Sequence, residues 1–197
     1  MLKPYTSNSS LQEKNCTLIS SVTYEYSVFD PPLTSLGEQQ ARSIRENYPF
    51  LLNSSAFLVS SPLRRTLQTS LLAFNRNPLP HPEIQENSAK PCDTGRPTSI
   101  LCKEFPELDF KLVGEGWNSK RDEWAPDESS LANRASRMRK WLKDHDENEI
   151  IVVTHGGNSF ICCVDAKDFC YTLFRRLRIL TTVSVEVILL RIVRRRY

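Results

Sequence analysis

The sequence predicts an α/β domain with a mainly parallel β-sheet. Two apolar runs, residues 56–59 and 149–154, have the length and composition of buried strands. A pattern with the apolar spacing of a helix follows the first run, and another precedes the second. Because strands that alternate with helices form parallel sheets, this order of elements favours the α/β class. The length of 197 residues suits one domain, or one domain with extensions.

The first predicted helix has its own start signals. A Pro-Pro pair at positions 31–32 marks a turn, because proline is excluded from the interiors of helices and strands. Thr34 or Ser35 then caps a helix over about residues 35–48. Ser35 and Glu38 also have the spacing of a capping box, in which each side chain bonds the backbone of the other residue.

The remaining elements follow in order along the chain. Residues 60–62, Ser-Ser-Pro, supply a serine cap and a proline at the first position of a second helix, which ends near Phe74. Residues 75–126 are rich in proline and are predicted to be mostly loop, and ordered loops of this length are usually functional. The apolar positions of a third helix are Leu131, Ala135, Met138 and Leu142. Alternating apolar residues predict a last strand over residues 181–190.

The two ends of the chain differ from its body. Residues 1–15 are polar and predicted to be disordered, whereas residues 16–29 have the β-branched and aromatic content of a strand. Residues 158–197 hold eight basic and three acidic residues, a balance of +5, so residues 1–157 of this +3 chain carry −2. An acidic body lacks the basic face of a nucleic-acid-binding domain, and we expect no nucleic-acid partner. We interpret the basic end as a solvated terminus, with contact to anionic lipid or nucleic acid as the alternative.

Composition excludes several classes of protein. Apolar residues make up 40% of the chain and charged residues 25%, which excludes collagen-like, coiled-coil and wholly disordered chains. No apolar stretch approaches the ~20 residues of a membrane-spanning helix, and the N-terminus lacks the apolar core of a signal peptide. We therefore expect a cytoplasmic protein without a membrane span. The six cysteines form no C-x-x-C pair and the chain has three histidines, so we expect reduced thiols, no structural metal and no cofactor.

Two predicted strands end in residues that suit an anion. Arg64 and Arg65 lie in the first turn of the helix after strand 56–59, where guanidinium and helix N–H groups favour phosphate or carboxylate. His155 directly follows the other strand, and the two glycines after it let a ligand approach the backbone. Ligands of such sheets bind beyond the carboxyl ends of the strands, so we expect these residues to converge. Each signal also has a structural interpretation, as arginines on a solvated helix face and as a histidine of the core.

Together these segments resemble the histidine phosphatase superfamily, also called phosphoglycerate mutase-like. The matching segments are residues 30–41, 60–69 and 151–157, and residues 82–86 and 91–120 are similar to a fungal-type branch of small phosphatase-like members. The resemblance implies a three-layer α/β/α fold for the domain, which we place at residues 16–157. It also implies hydrolysis of phosphomonoesters through a phosphohistidine intermediate. The expected partner is a phosphorylated small molecule or inorganic phosphate.

The resemblance also implies roles for single residues. Arg65 matches the family's pocket arginine, Arg64 occupies the variable position beside it, and His155 matches the second pocket histidine. Glu86 matches the acid that protonates the leaving oxygen, and since a free glutamate titrates near ~4.3, it needs burial or charged neighbours to stay protonated near neutral pH. We expect His155 to carry a charge near neutral pH, so that anion binding weakens as the pH rises.

The nucleophile of the family has no match in this sequence. That histidine normally lies in an Arg-His-Gly or Arg-His-Ala motif at the end of the first strand, but the chain contains no Arg-His pair and no histidine before His81. His81 lies in a proline-flanked loop and is not a candidate. We therefore expect the first strand to be missing or replaced, which leaves unpaired edges on its neighbours. Residues 158–197 depart from the family too, and we interpret them as a divergent basic C-terminal extension.

Three interpretations remain open at this point. The chain is a phosphatase-family enzyme, whose activity we expect to be impaired or absent, a non-catalytic pseudoenzyme that binds phosphate or a partner, or the product of a truncated or mis-spliced gene. The missing nucleophile separates the first interpretation from the other two, because the family reaction starts with attack of that histidine on phosphorus. The segment over residues 75–126 would determine the substrate, and its sequence does not identify one.

Overall fold

Five strands form one sheet in a computed structural model that describes residues 27–52, 55–157, 170–179 and 185–193. The strands are β1 (Phe57–Ser60), β2 (Leu79–Pro80), β3 (Glu149–His155), β4 (Cys170–Ile179) and β5 (Val185–Val193), and their order in the sheet is β2-β1-β3-β5-β4. β1 pairs in parallel with β2 and β3, and β5 pairs antiparallel with β3 and β4. Four of these five strands therefore run in one direction, which confirms the predicted α/β class with a mainly parallel sheet.

The three predicted helices lie close to their expected positions, and the two short helices Pro49–Leu52 and Thr98–Glu104 were not predicted. The helices are α1 (Ser35–Asn47), α2 (Pro49–Leu52), α3 (Arg64–Phe74), α4 (Thr98–Glu104) and α5 (Glu128–Asp144). Short 3-10 turns cover Pro82–Ile84, Pro91–Asp93 and Asp122–Trp124. Residues 75–126 thus combine α4, the short β2 and these three turns with loop, in agreement with the prediction of mostly loop.

The caps of α1 and α3 differ from the predicted ones. Thr34 caps α1, since its hydroxyl oxygen accepts from the Gly37 N–H at 3.1 Å, and the predicted Ser35–Glu38 box is not the cap. Leu63 stands at the cap position of α3 without a side-chain hydrogen bond, so the predicted serine cap is wrong. Instead, the Asp30 carboxylate accepts from the Arg64 N–H at 3.1 Å. The cap of α3 therefore comes from a residue 34 positions away.

Helices cover both faces of the sheet. Along β3, Ile151 and Val153 pack with residues of α1 and α3, whereas Ile150 and Val152 pack with Met138 and other residues of α5. This division follows from the alternation of side chains along a strand. The described residues thus have the three-layer α/β/α arrangement that the resemblance implies.

A third apolar cluster holds the long segment 75–126 against α3. It contains Leu63, Leu67, Leu101, Phe105, Leu108, Phe110, Val113 and Trp117. Trp117 is 1% exposed, and its indole ring packs so closely on Gly95 that a Cβ there would lie 2.2 Å from Trp117 Cη2. The segment is therefore a packed part of the domain, which fixes the loops that surround the carboxyl end of the sheet.

β3 lies between two partners. Its register with β5 pairs Glu149 with Arg191 at one end and His155 with Val185 at the other. We expected unpaired edges beside the missing strand, but β3 has no such edge, because β1 pairs with one side and β5 with the other. β5 also confirms the last predicted strand, and it belongs to the segment predicted as an extension.

Several predictions lie wholly or partly outside the described residues. These are the disordered residues 1–15, most of the possible strand at residues 16–29, and the basic run at residues 194–196. None of the described helices combines the length and the apolar composition of a membrane-spanning segment.

Candidate functional site

The carboxyl ends of β1 and β3 bring Arg65 and His155 into contact. Arg65 Nη2 lies 3.1 Å from His155 Nδ1, and the two side chains are 2% and 0% exposed. Because β1 and β3 are parallel neighbours, the helix that follows β1 and the last residue of β3 meet at one edge of the sheet. The predicted convergence of these two residues is therefore observed, while their role in binding stays a prediction.

Three acceptors hold the guanidinium group of Arg65. Its Nη1 donates to the Cys92 carbonyl at 2.7 Å, and its Nη2 forms a buried ion pair with Asp93 Oδ1 at 3.1 Å in addition to the His155 contact. Its Nε is buried and has no hydrogen-bond partner among the described residues. Asp93, which the sequence analysis did not single out, thus occupies one of the positions that an anion would take on Arg65.

The partners of His155 determine its tautomer. A guanidinium group can only donate, so Nδ1 accepts from Arg65, and Nε2 carries the hydrogen and donates to Ser61 Oγ at 2.9 Å. Burial lowers the pKa of His155 well below 6.5, and the positive charges of Arg65, Lys120 and Arg134 lower it further. The expectation that His155 is charged near neutral pH is therefore wrong, since both burial and neighbouring cations favour the neutral ring.

Glu86 lies against the glycine turn that follows His155. A Cβ on Gly157 would lie 2.3 Å from Glu86 Oε1, so the absence of a side chain at this position makes room for the carboxyl group. Glu86 Oε1 accepts from the Asn87 N–H at 2.8 Å, and Asn87 Nδ2 donates to the Gly157 carbonyl at 2.6 Å. Burial raises the pKa of Glu86, with Asp93 adding to the shift and Asn87, Arg65 and Lys120 opposing it. This direction is the one that a proton donor needs.

Two further cations lie in the cluster. Lys120 is 9% exposed, and its Nζ donates to the Glu86 carbonyl at 2.6 Å. Arg134 is 2% exposed, and its Nη2 donates to the carbonyls of Gln85 at 2.5 Å and Glu83 at 3.0 Å. Sequence reasoning missed both residues. Arg134 stands four positions before Met138 on the buried face of α5, and a charge on an apolar stripe was a signal that could have found it.

Arg64 lies apart from this cluster. Its Nε donates to Glu104 Oε1 of α4 at 2.6 Å, and its Nη1 lies 3.5 Å from the Asp30 carbonyl. The backbone N–H at the start of α3 is bonded to the Asp30 carboxylate, whose pKa is raised to about 6 by burial. A carboxylate of the chain itself therefore occupies the helix N-terminus at which we expected an anion. Among the hydrogen bonds and ion pairs of the described residues, Arg64 shares no partner with Arg65.

The other two histidines lie in an aromatic cluster of their own. The His81 ring centroid lies 4.6 Å from that of Trp141, and the His145 ring lies 4.3 Å from Trp141 and 4.5 Å from Phe57. Burial lowers the pKa of His81 to about 4. Among the described residues, no three metal-ligating side chains converge on a metal site.

Comparison with known proteins identifies relatives over most of the chain. The family model of the histidine phosphatase superfamily (branch 1) matches residues 25–194. "Phosphoglycerate mutase-like protein 1" of Arabidopsis thaliana is 31% identical over 75% of this chain and 64% of its own length. "Phosphoglycerate mutase-like protein" of the same plant is 29% identical over 79% of this chain and 72% of its own length. The chain thus spans less than two thirds of the first of these relatives, and no solved structure matches it.

Proposed function

Because this chain belongs to the histidine phosphatase superfamily, we propose that it binds inorganic phosphate or the phosphate group of a small molecule at Arg65 and His155. The cations of the cluster support this proposal. The cations Arg65, Lys120 and Arg134 act on the buried His155, and the carboxylates of Glu86 and Asp93 act on Lys120. Asp30 also faces Arg65, and Glu83 faces Arg134, so the three cations already attract carboxyl groups of the chain itself. An anion that enters this poorly solvated place would compete with these groups for the same cations.

Buried hydrogen-bond donors also support an anion at this place. Arg65 Nε, Arg134 Nε and Arg134 Nη1 are buried without a hydrogen-bond partner among the described residues. A buried donor without an acceptor costs about 1–3 kcal/mol, and phosphate oxygens would remove part of that cost. Guanidinium groups also match the geometry of phosphate better than a lysine does.

We further propose that hydrolysis is impaired or absent in this chain. Histidine catalysis needs a ring nitrogen whose lone pair can reach phosphorus. In His155, Nδ1 accepts from Arg65 and Nε2 donates to Ser61, so neither nitrogen is available, and this is the observation that carries the proposal. The rings of His81 and His145 pack against Trp141. The absence of an Arg-His pair from the sequence supports the same proposal. We also propose that the chain belongs to the fungal-type branch.

The remaining groups fit the electrostatic part of the family reaction. Arg65 would stabilise the charge on the phosphoryl oxygens, and Glu86, whose pKa is raised by burial, would hold the proton that the leaving oxygen takes. If no histidine attacks phosphorus, these groups would assist direct attack by water. The alternative function is that of a pseudoenzyme that binds a phosphorylated partner.

Binding is tested by titrating inorganic phosphate into the protein and following it by heteronuclear NMR. We expect a dissociation constant on the order of millimolar, with shifts at Arg65 and His155. Asp93→Asn should tighten binding about tenfold, because it removes the carboxylate that competes for Arg65 Nη2. Asp109→Asn is the matched control, since Asp109 is exposed and pairs with Lys111. Shifts confined to residues 194–196, or equal effects of the two substitutions, would contradict the proposal.

Catalysis is tested with p-nitrophenyl phosphate as substrate. We expect hydrolysis at the background rate, and no acid-labile, base-stable phosphoenzyme, because neither nitrogen of His155 is available for attack. Vanadate, which imitates the transition state of phosphoryl transfer, should bind no more than about tenfold tighter than phosphate. Robust turnover that is lost in His155→Ala would sink this proposal and identify His155 as a nucleophile.

A further inference from the structure

We propose that Lys120 contacts the bound phosphate and supplies the positive charge whose loss at alkaline pH weakens binding. This inference rests on the proposed phosphate binding and deepens it, since it names the group that regulates the site. The position of Lys120, its hydrogen bonding and the charges around it carry the argument.

The backbone around Lys120 directs its side chain into the cluster. Trp117 anchors this loop in the apolar cluster against α3, and Asn118 Nδ2 donates to the Gly95 carbonyl at 2.7 Å. Lys120 itself has a φ of 55°, in the left-handed region that is unfavourable for a residue with a side chain. The anchored loop holds this conformation, and the ammonium group ends 2.6 Å from the Glu86 carbonyl oxygen. A strained backbone thus maintains a cation beside the proposed proton donor.

The hydrogen bonding of Lys120 is incomplete. An ammonium group has three N–H donors, and in the described part of the chain Nζ donates to a single acceptor, the Glu86 carbonyl. The residue is 9% exposed, so water has little access to the remaining donors. A phosphate oxygen beside Nζ would accept one of them and would compensate the buried charge.

The charges that act on Lys120 come from every side of the cluster. Arg65 belongs to α3, Arg134 to α5, and Glu86 and Asp93 to the loop between β2 and α4, while the neutral His155 ends β3. Burial lowers the pKa of Lys120 to about 7, with Arg134 and Arg65 adding to the shift and Asp93 and Glu86 opposing it. A bound dianion favours the charged amine. Binding above neutral pH therefore takes up a proton, and affinity falls as the pH rises through about 7.

His155 does not provide the same dependence. Its pKa lies well below 6.5, so the ring stays neutral on both sides of neutral pH. A fall in affinity between about pH 6 and about pH 8.5 therefore distinguishes Lys120 from His155, provided that the ligand does not titrate itself. Sulfate meets that condition, because it keeps its double charge over this range.

The test measures the affinity for sulfate by calorimetry at about pH 6 and at about pH 8.5. The proteins compared are the wild-type chain, Lys120→Arg, Lys120→Met and the control Lys103→Met. Lys103 is exposed on α4, so its substitution should leave binding unchanged. We expect the wild-type affinity to fall about tenfold over this interval, which is the loss of about 1.4 kcal/mol. Lys120→Arg should show less than about a twofold fall, since a guanidinium group stays charged, and Lys120→Met should bind about tenfold more weakly at the lower pH.

Proton uptake gives a second readout on the wild-type chain. Calorimetry at about pH 8 in two buffers of different ionisation enthalpy should show about half a proton taken up per sulfate bound, the amount that a tenfold fall from a pKa of about 7 implies, and none in Lys120→Arg. This readout stays decisive even where Lys120→Met does not fold. A wild-type pH dependence that persists in Lys120→Arg would overturn the inference and leave phosphate binding intact. Failure of the wild-type chain to bind sulfate at either pH would instead overturn the proposed function.

Discussion

Arg65→Met is expected to lower the free energy of unfolding by about 3–5 kcal/mol, the usual cost of removing one partner of a buried ion pair. The substitution leaves the Asp93 carboxylate buried without its cation and removes the donors to the Cys92 carbonyl and to His155 Nδ1. For a chain of this length, the loss corresponds to a fall in melting temperature of roughly 6–20 °C. Urea denaturation followed by circular dichroism measures the free energy directly.

Arg64→Met is the matched control for this prediction. Arg64 is the same residue type in the same turn of α3, but its ion pair with Glu104 is partly exposed, with side-chain exposures of 18% and 25%. Its loss should cost about 1 kcal/mol or less. The double variant Arg65→Met with Asp93→Asn should recover part of the loss, because it removes the buried charge that the single variant leaves unpaired. Equal destabilisation by Arg65→Met and Arg64→Met would contradict this prediction, because Arg65 would then stabilise the fold no more than the partly exposed Arg64 does.

Gly95→Ala is expected to destabilise the fold by about 1–3 kcal/mol, the usual cost of overpacking a core. The new Cβ would lie 2.2 Å from Trp117 Cη2 and 2.5 Å from Cζ2, and Trp117 is 1% exposed, so the indole has no room to retreat. Because Trp117 anchors the loop that carries Lys120, the same substitution should weaken sulfate binding. Thermal unfolding together with the sulfate titration measures both effects in one sample.

Gly114→Ala provides the control, since no atom lies within 4 Å of a Cβ built at that position. Its effect on stability should stay within about 0.5 kcal/mol, as for an ordinary surface substitution. Both glycines precede Lys120 in the same long segment, so the comparison separates the Trp117 contact from a general loss of backbone freedom. A Gly95→Ala protein as stable as Gly114→Ala would mean that the indole does not hold this loop.

Local patterns explain why much of the fold was predictable. The apolar run of β3 and the apolar stripe from Leu131 to Leu142 on α5 each consist of residues that are close together in the sequence. Such patterns predict a strand or a helix without knowledge of the rest of the chain. The convergence of Arg65 and His155 was predictable for a related reason, because parallel strands carry their following residues to the same edge.

Interactions between distant segments explain what sequence reasoning missed. Asp30 caps α3 across 34 positions, and β5 pairs with β3 through a register that no local pattern determines. Lys120 reaches the cluster only because Trp117 anchors its loop. The neutral state of His155 depends on burial and on the surrounding cations, which a reference pKa does not include.

The contact between Arg65 and His155 joins residues 90 positions apart, and it has a consequence for how the chain folds. Contacts of high sequence separation form slowly, because a long loop must close before they contribute any stabilisation. Arg65 meets Asp93 across only 28 positions, so that ion pair needs a much shorter loop closure than the contact with β3. The full cluster therefore exists only after β1 has docked on β3. A bound anion therefore stabilises only the state in which the sheet is complete. We expect it to slow unfolding and to leave the rate of folding unchanged.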